Sequence, residues 1–299
     1  MAGIRISWLV FCALVLLGAF GRLPFGYGWT WLPAGIALAL LLWLGRTARA
    51  QHAVRPPALE GVPVGGAWQA LNSPADKVPS HGTYGYGQAY AIDIVAVPDP
   101  TPRTPTPDNP TLPRPPFAWL WPVARRNQDF PAFGAPLLAV ADATVVHASD
   151  GQRDHLSRNS LVGLVHMLLF EAAVREIAGV RRIVGNHLIL DLGNGTYAVY
   201  AHLRRGSLEV RAGDRVSAGQ PLARCGNSGN SSEPHLHFQL MDHPDLNVAR
   251  GLPFRWRGIG VPANGETFVA DADAASDADA DAGADADVDA GAASDADAR

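Results

Sequence analysis

From residue 186 to 240 the chain keeps repeating one pattern: short runs of alternating apolar and polar residues, cut by glycine-containing turns. The runs are NHLILDLGNG (186–195), TYAVYAHL (196–203), the turn-and-strand stretch VRAGDRVSAGQPLARCG (210–226) and HLHFQL (235–240). A period of two places alternate side chains on one face, which is the signature of a strand against a core. The stretch AFGAPLLAVADATVVHASDG (132–151) reads the same way, and YAIDIV, ending at 95, reads as a turn followed by a strand. With 31 Gly and 24 Pro in 299 residues, turns are plentiful, which favours strands over helices. One stretch breaks the pattern. NSLVGLVHMLLFEAAVREIA (159–178) favours a helix, capped by Asn159 or Ser160 and stopped by Gly179. The fold is therefore expected to be mainly β with one inserted helix.

The remaining segments have other compositions. Residues 6–21 and 27–45 are two uncharged apolar runs separated by Arg22. The second approaches the ~20 residues that span a bilayer, and Trp29, Trp31 and Trp43 lie near its ends, where interfacial aromatics sit. Residues 1–50 are expected to form a membrane anchor of one or two transmembrane helices. Residues 51–80 read as a polar, Pro-containing linker and entry segment. The segment 98–116 holds nine prolines and reads as a solvated, polyproline-like insert. Residues 263–299 are dominated by an Asp-Ala tail, too poor in large apolar side chains to offset its ordering entropy, and expected to be disordered. Ten aspartates and one arginine of that tail lie in 271–299, so the net charge of −4 hides a mildly basic body. That charge suits an anionic surface or ordinary solubility equally well, and nucleic acid is not an expected partner. Cys12 lies in an apolar run and Cys225 deep in the strand-rich part, so no disulfide is expected.

Chemistry concentrates in a few polar residues on apolar strands. In HLHFQL, His235 and His237 share one strand face while Leu236 points to the other. Two imidazoles so placed can serve as metal ligand and general base, or be surface histidines of an edge strand. Just upstream, GNSGNSSEP (226–234) is a loop of turn residues that lets backbone approach a substrate. His202 lies on the preceding strand, as a site residue or as a structural one. Asp93 is a charge among apolar strand residues, which needs either a salt-bridge partner or a metal. A catalytic zinc commonly takes three protein ligands and leaves one position open. His81, in PSHGT, is the histidine nearest to Asp93 along the chain.

Taken together, FGAPLLAVADATVVHASDG, GNHLILDLGNGTYAVYAHL, GSLEVRAGDRVSAGQPLARCGNSGNSSEPHLHF and, less closely, AYAIDIV resemble the lysostaphin-type, LytM-like zinc endopeptidases. The resemblance implies an antiparallel β-sheet or sandwich with a groove, a bound Zn2+, and cleavage of peptide bonds in peptidoglycan. It implies Asp93 and His237 as zinc ligands, and His202 and His235 as catalytic histidines that do not bind the metal. The family's first motif places a further histidine ligand four residues before the aspartate, where this chain has Ala89. His81 is the candidate to replace it across the glycine-rich turn 82–87. The alternative is a degenerate domain of the same fold that binds cell wall or regulates other wall hydrolases.

The peptidase domain is expected over 81–262, with the Pro-rich insert and a helical insert at 153–183. Arg5, Arg46, Arg49 and Arg55 flank the apolar runs while Arg22 alone sits between them. The positive-inside rule would put the domain in the cytoplasm. The substrate implied by the resemblance lies outside it, and an extracytoplasmic, membrane-anchored domain is the expectation adopted.

Overall fold

A computed structural model describes residues 2–21, 26–49, 58–98 and 113–270. Most of the Pro-rich insert, the first part of the linker and the tail from 271 onward lie outside the described residues. So do the arginine side chains on which the membrane orientation was read.

Nine strands build one antiparallel sheet. They are β1 (Gly66–Leu71), β2 (Ile92–Ala96), β3 (Ala143–Ser149), β4 (Asn186–Asp191), β5 (Tyr197–Leu203), β6 (Arg215–Val216), β7 (Leu236–Met241), β8 (Gly251–Leu252) and β9 (Thr267–Ala270). Their spatial order is β9-β1-β2-β7-β5-β4-β3-β6, and β8 pairs with the last two residues of β7. The β4–β5 hairpin turns through Gly193, Asn194 and Gly195, all with positive φ, which is why the sequence carries Gly-Asn-Gly there. Two small sheets complete the layer facing one side: Pro136–Leu138 pairs antiparallel with Pro221–Arg224, and Ala58–Leu59 pairs parallel with Arg255–Trp256.

The main core lies between the sheet and these small pairs. Trp68, Ile92, Ile94, Leu188, Tyr200 and Phe238 meet Leu137, Leu222, Phe254 and Trp256 in one cluster. The opposite face is covered as well. There Val199, Ala201 and Met241 pack against Val180 and Val184 of α5 (Val180–Val184). The strand expected to be half-buried at 196–203 is accordingly buried on both faces from Ala198 to Leu203.

Three sequence expectations change. The segment 51–80 is not merely a linker: β1 lies within it, and Trp68 and Ala70 enter the core. GAWQAL puts Trp68 and Ala70 on one face, but Ala67 and Leu71 on the other blur the alternation, and the run is too short to stand out beside its polar neighbours. The disordered tail does not begin at 263, because β9 forms the sheet edge over Thr267–Ala270 and buries Phe268. Finally, the N-terminal runs form two helices, Ala2–Ala19 and Leu32–Arg49, which pack side by side as a hairpin. Phe11 meets Trp31 across it with ring centroids 5.2 Å apart. Among the described residues, no helix is long and apolar enough to cross a membrane. A helix of 18 residues rises about 27 Å, slightly less than a ~30 Å hydrocarbon core.

The doubly covered sheet has a consequence for acid stability. His187 on β4 is buried, and its ring stacks on His147 with centroids 4.7 Å apart. Burial pushes its imidazole down to about 4; the bond to the Gly185 carbonyl opposes this, and His147 and Arg181 add to it. An unfolded chain binds that proton near ~6.5. Between those values the unfolded state holds more protons, so stability falls as pH drops through the window. About 2 kcal/mol should be lost between pH 6.5 and 4.5 through this residue. His187→Gln is expected to flatten that slope in urea denaturation midpoints; an unchanged slope would assign the acid lability elsewhere.

Candidate metal centre and groove

The site lies where β2 and β7 run side by side. Asp93 and His237 are direct cross-strand partners in the register. Alternation sends Ile92 and Ile94 into the main core and Asp93 to the other face, together with His237 and Gln239. His237 Nδ1 lies 2.9 Å from Asp93 Oδ1, and His235 Nε2 lies 3.4 Å from the same oxygen.

His81 arrives by a different route. The loop 80–91 folds back on itself: Ser80 N–H donates to the Ala89 carbonyl, and the Ser80 hydroxyl donates to the Ala91 carbonyl at 2.6 Å. This brings His81 Nε2 to 3.0 Å from Asp93 Oδ2, while Asn72 donates to that oxygen at 2.9 Å. Ala89, at the position of the family's first-motif histidine, is buried close to Gly251. The ligand atoms of His81, Asp93 and His237 all lie within 4.8 Å of one another, and among the described residues this is the one such group.

The hydrogen bonds set the tautomers. The single Ser80 hydroxyl proton goes to Ala91, so at 2.9 Å Ser80 Oγ accepts from His81 Nδ1–H. That leaves a lone pair on His81 Nε2, facing a carboxylate oxygen. Gln239 Nε2 donates to the Tyr86 carbonyl, which turns Oε1 toward His237 Nε2–H at 3.0 Å. His237 Nδ1 is then also a lone pair facing the carboxylate. Burial pushes the His237 imidazole toward its neutral form, against the pull of the Asp93 carboxylate and with help from His81. Burial alone would raise the Asp93 carboxyl, but His81, His235 and His237 hold it well below the usual carboxylate range. Three acceptors thus converge on one point, an arrangement that fits a cation between them. Nitrogen, nitrogen and carboxylate oxygen are the donor set of a catalytic zinc.

His235 and His202 stand beside this group. His235 Nδ1–H donates to the Glu233 carbonyl at 2.7 Å, and His202 Nδ1–H donates to the Ser228 carbonyl at 2.8 Å. In its neutral form each ring therefore carries its lone pair on Nε2. Their ring centroids are 4.8 Å apart. Strict alternation would put His202 on the core face with Ala198 and Tyr200. Instead, a bulge opposite β4 and a left-handed backbone at His202 (φ 62°) turn it to the site face and return Leu203 to the core. The loop carrying Ser228 is pressed against the strand ends: a Cβ on Gly229 would meet Gly185 N at 2.5 Å.

A groove of about 770 Å³ opens over these residues. Its other wall is the inserted helical segment: α3 (Leu161–His166), a wide π-type turn (Met167–Glu171), α4 (Ala172–Ile177) and α5. Leu164, Met167, Leu168, Ala172, Glu176 and Ile183 line it. The structure thus brings together all five residues singled out in the sequence. Sequence reasoning missed Ser80, Asn72 and Gln239. Gln239 had a signal, because a polar residue two positions after His237 on a buried strand needs a partner.

Three ligand-type side chains beside two further histidines in a groove define a metallohydrolase-like centre. Residues 169–248 match the profile of peptidase family M23, which supports the lysostaphin-type, LytM-like resemblance for this part of the chain. The match holds His202, His235 and His237; His81 and Asp93 come from outside it. Similar proteins include peptidoglycan DD-endopeptidase ShyA of Vibrio cholerae, 32% identical over 78 residues, a match covering 26% of this chain and 16% of ShyA. Glycyl-glycine endopeptidase ALE-1 of Staphylococcus capitis is 43% identical over 64 residues, covering 21% of this chain and 17% of ALE-1. The matches thus span about a sixth of each of these relatives. The catalytic domain of lysostaphin from Staphylococcus simulans superposes with a TM-score of 0.29 at 17% identity, covering 68% of this chain and 92% of that one.

Proposed function

We propose that the protein is a zinc-dependent endopeptidase that hydrolyses peptide bonds of peptidoglycan. In this reading it is held at a membrane by its N-terminal hairpin, with the groove outside the cytoplasm. The observation that carries the catalytic part is the convergence of His81 Nε2, His237 Nδ1 and the Asp93 carboxylate. The peptidoglycan part is supported by the match of residues 169–248 to family M23 and by the named activities of ShyA and ALE-1. The membrane part is supported by the outward apolar side chains of the hairpin, among them Leu16, Phe20, Leu38 and Trp43.

His81, Asp93 and His237 would hold the zinc. Bound zinc supplies a Lewis acid that polarises the scissile carbonyl and acidifies the attacking water. His235 Nε2 takes the water's proton as oxygen attacks the carbonyl carbon, and the proton then passes to the leaving amine as the C–N bond breaks. His202, with Nδ1–H committed to Ser228, acts through its Nε2 lone pair and assists that transfer.

The test is metal content and cleavage measured on one preparation of the full chain in detergent. About one zinc per chain, with cleavage of purified wall peptides that stops on chelation and returns with zinc, is the expected result. A folded chain that takes up no zinc would replace the enzyme reading with the degenerate binding domain. Gln239→Leu removes the group that fixes the His237 tautomer, and should weaken zinc binding about 10- to 100-fold. Competition with a chromophoric chelator measures this.

A further inference from the structure

The helical wall of the groove has its polarity inside out. Its charged residues turn toward the domain: Arg158 lies 2.6 Å and Arg175 3.0 Å from Glu171, and Tyr86 donates to Glu176 at 2.6 Å. Its outer face is apolar, with Val165, Leu169, Phe170, Val174 and Ile177 all exposed, Leu169 at 65%. Among the described side chains of 161–178, His166 is the one polar group that stands exposed. A helix facing water is built the other way round.

A second exposed apolar segment abuts the first. Trp119, Leu120 and Trp121 are 73%, 71% and 83% exposed. Their strand of chain is tied to the start of α3: Ala118 N–H donates to the Asn159 carbonyl at 3.2 Å, and Leu161 N–H to the Ala118 carbonyl at 2.9 Å. The hairpin joins the same surface, because its first helix touches α4. Hairpin, helical wall and tryptophan segment thus adjoin one another, and each exposes several large apolar side chains, unlike the isolated ones common on soluble proteins.

We infer that the outer face of α3–α4 and the segment Trp119–Trp121 lie in the interfacial layer of a lipid bilayer, next to the N-terminal hairpin. The inference rests on the membrane part of the proposed function and extends it to the catalytic domain itself. Continuity with the hairpin favours lipid over a protein partner as the occupant. So do the two tryptophans, whose amphipathic rings suit the headgroup region. One helix then has two duties, walling the groove on one side and meeting lipid on the other. Since a helix is about 10 Å across, cleavage would occur within about that distance of the membrane surface. The substrate class is thereby narrowed to wall peptides lying against the membrane.

Nitroxide labels test this without disturbing the fold, because the chosen positions are exposed. In a Cys12→Ser background, single cysteines replace Leu16, Trp121, Phe170 or Val248 in the full chain. The chain is reconstituted in vesicles of phosphatidylethanolamine and phosphatidylglycerol. Each label's relaxation is then compared between oxygen, which partitions into lipid, and a water-soluble nickel complex. The expected result is an oxygen preference at 16, 121 and 170 and a nickel preference at the exposed control 248. Nickel preference at 121 and 170 with oxygen preference at 16 overturns the inference and leaves the hairpin anchor standing. Nickel preference at all four positions overturns both. Shielding at 121 and 170 that appears only when a protein is added, and not with lipid, also overturns it.

Discussion

Replacing His237 with alanine is expected to leave a folded chain that holds no zinc and cuts no peptide. The fold should survive because the ring lies on the face of β7 away from the main core, whose contributors from that strand are Leu236, Phe238 and Leu240. The substitution leaves Gln239 Oε1 short of a donor, which costs about 1–3 kcal/mol. The metal is a different matter. Two protein ligands remain of three, and the one lost is the imidazole paired in register with Asp93. With the metal goes a contribution of several kcal/mol to the transition state. At 1.36 kcal/mol per decade, cleavage falls about 10³-fold or more. Metal analysis and single-turnover cleavage check the two halves separately. A His237→Ala chain that keeps a full equivalent of zinc would place the metal elsewhere.

Much of this centre was legible because strands write their faces into the sequence. Asp93 between Ile92 and Ile94, and His237 between Leu236 and Phe238, each declare a polar face on an otherwise apolar strand. The register only had to bring the two faces together. His202 was harder. Alternation from Ala198 onward assigns it to the core, and a bulge with a left-handed residue reverses that assignment. No side-chain pattern announces such a bulge. His81 was reachable as the nearest histidine, but its delivery depends on a serine hydroxyl reaching the Ala91 carbonyl 11 residues downstream. The edge strand β9 and its neighbour β1 were hidden for another reason. Gly66–Leu71 and Thr267–Ala270 are short and sit beside polar or low-complexity sequence whose composition outweighs them in any window. The helical wall was predicted as a helix; its inverted polarity became visible only once the sheet showed which side was inside.

His235→Ala should separate chemistry from metal binding, and this is the second large effect. His235 is buried and stands 3.4 Å from Asp93, yet it is not among the three converging ligands. Its Nδ1–H is fixed by the Glu233 carbonyl, with Ser231 Oγ 3.1 Å away, so the ring can present only Nε2 to the groove. A base held this way contributes about 10²- to 10⁴-fold to proton transfer. The variant should therefore retain zinc, bind wall peptide with little change in KM, and lose that factor in kcat. Loss of zinc together with kcat would make His235 a ligand or a support of the ligands rather than the base. Cleavage at the normal rate would remove it from the mechanism and leave His202, whose Nε2 is presented in the same manner 4.8 Å away between ring centroids, as the group to take the proton. The double variant His202→Ala/His235→Ala decides whether the two act in one pathway. If they share one proton-transfer step, its loss should match that of the more damaging single substitution, whereas independent roles would multiply.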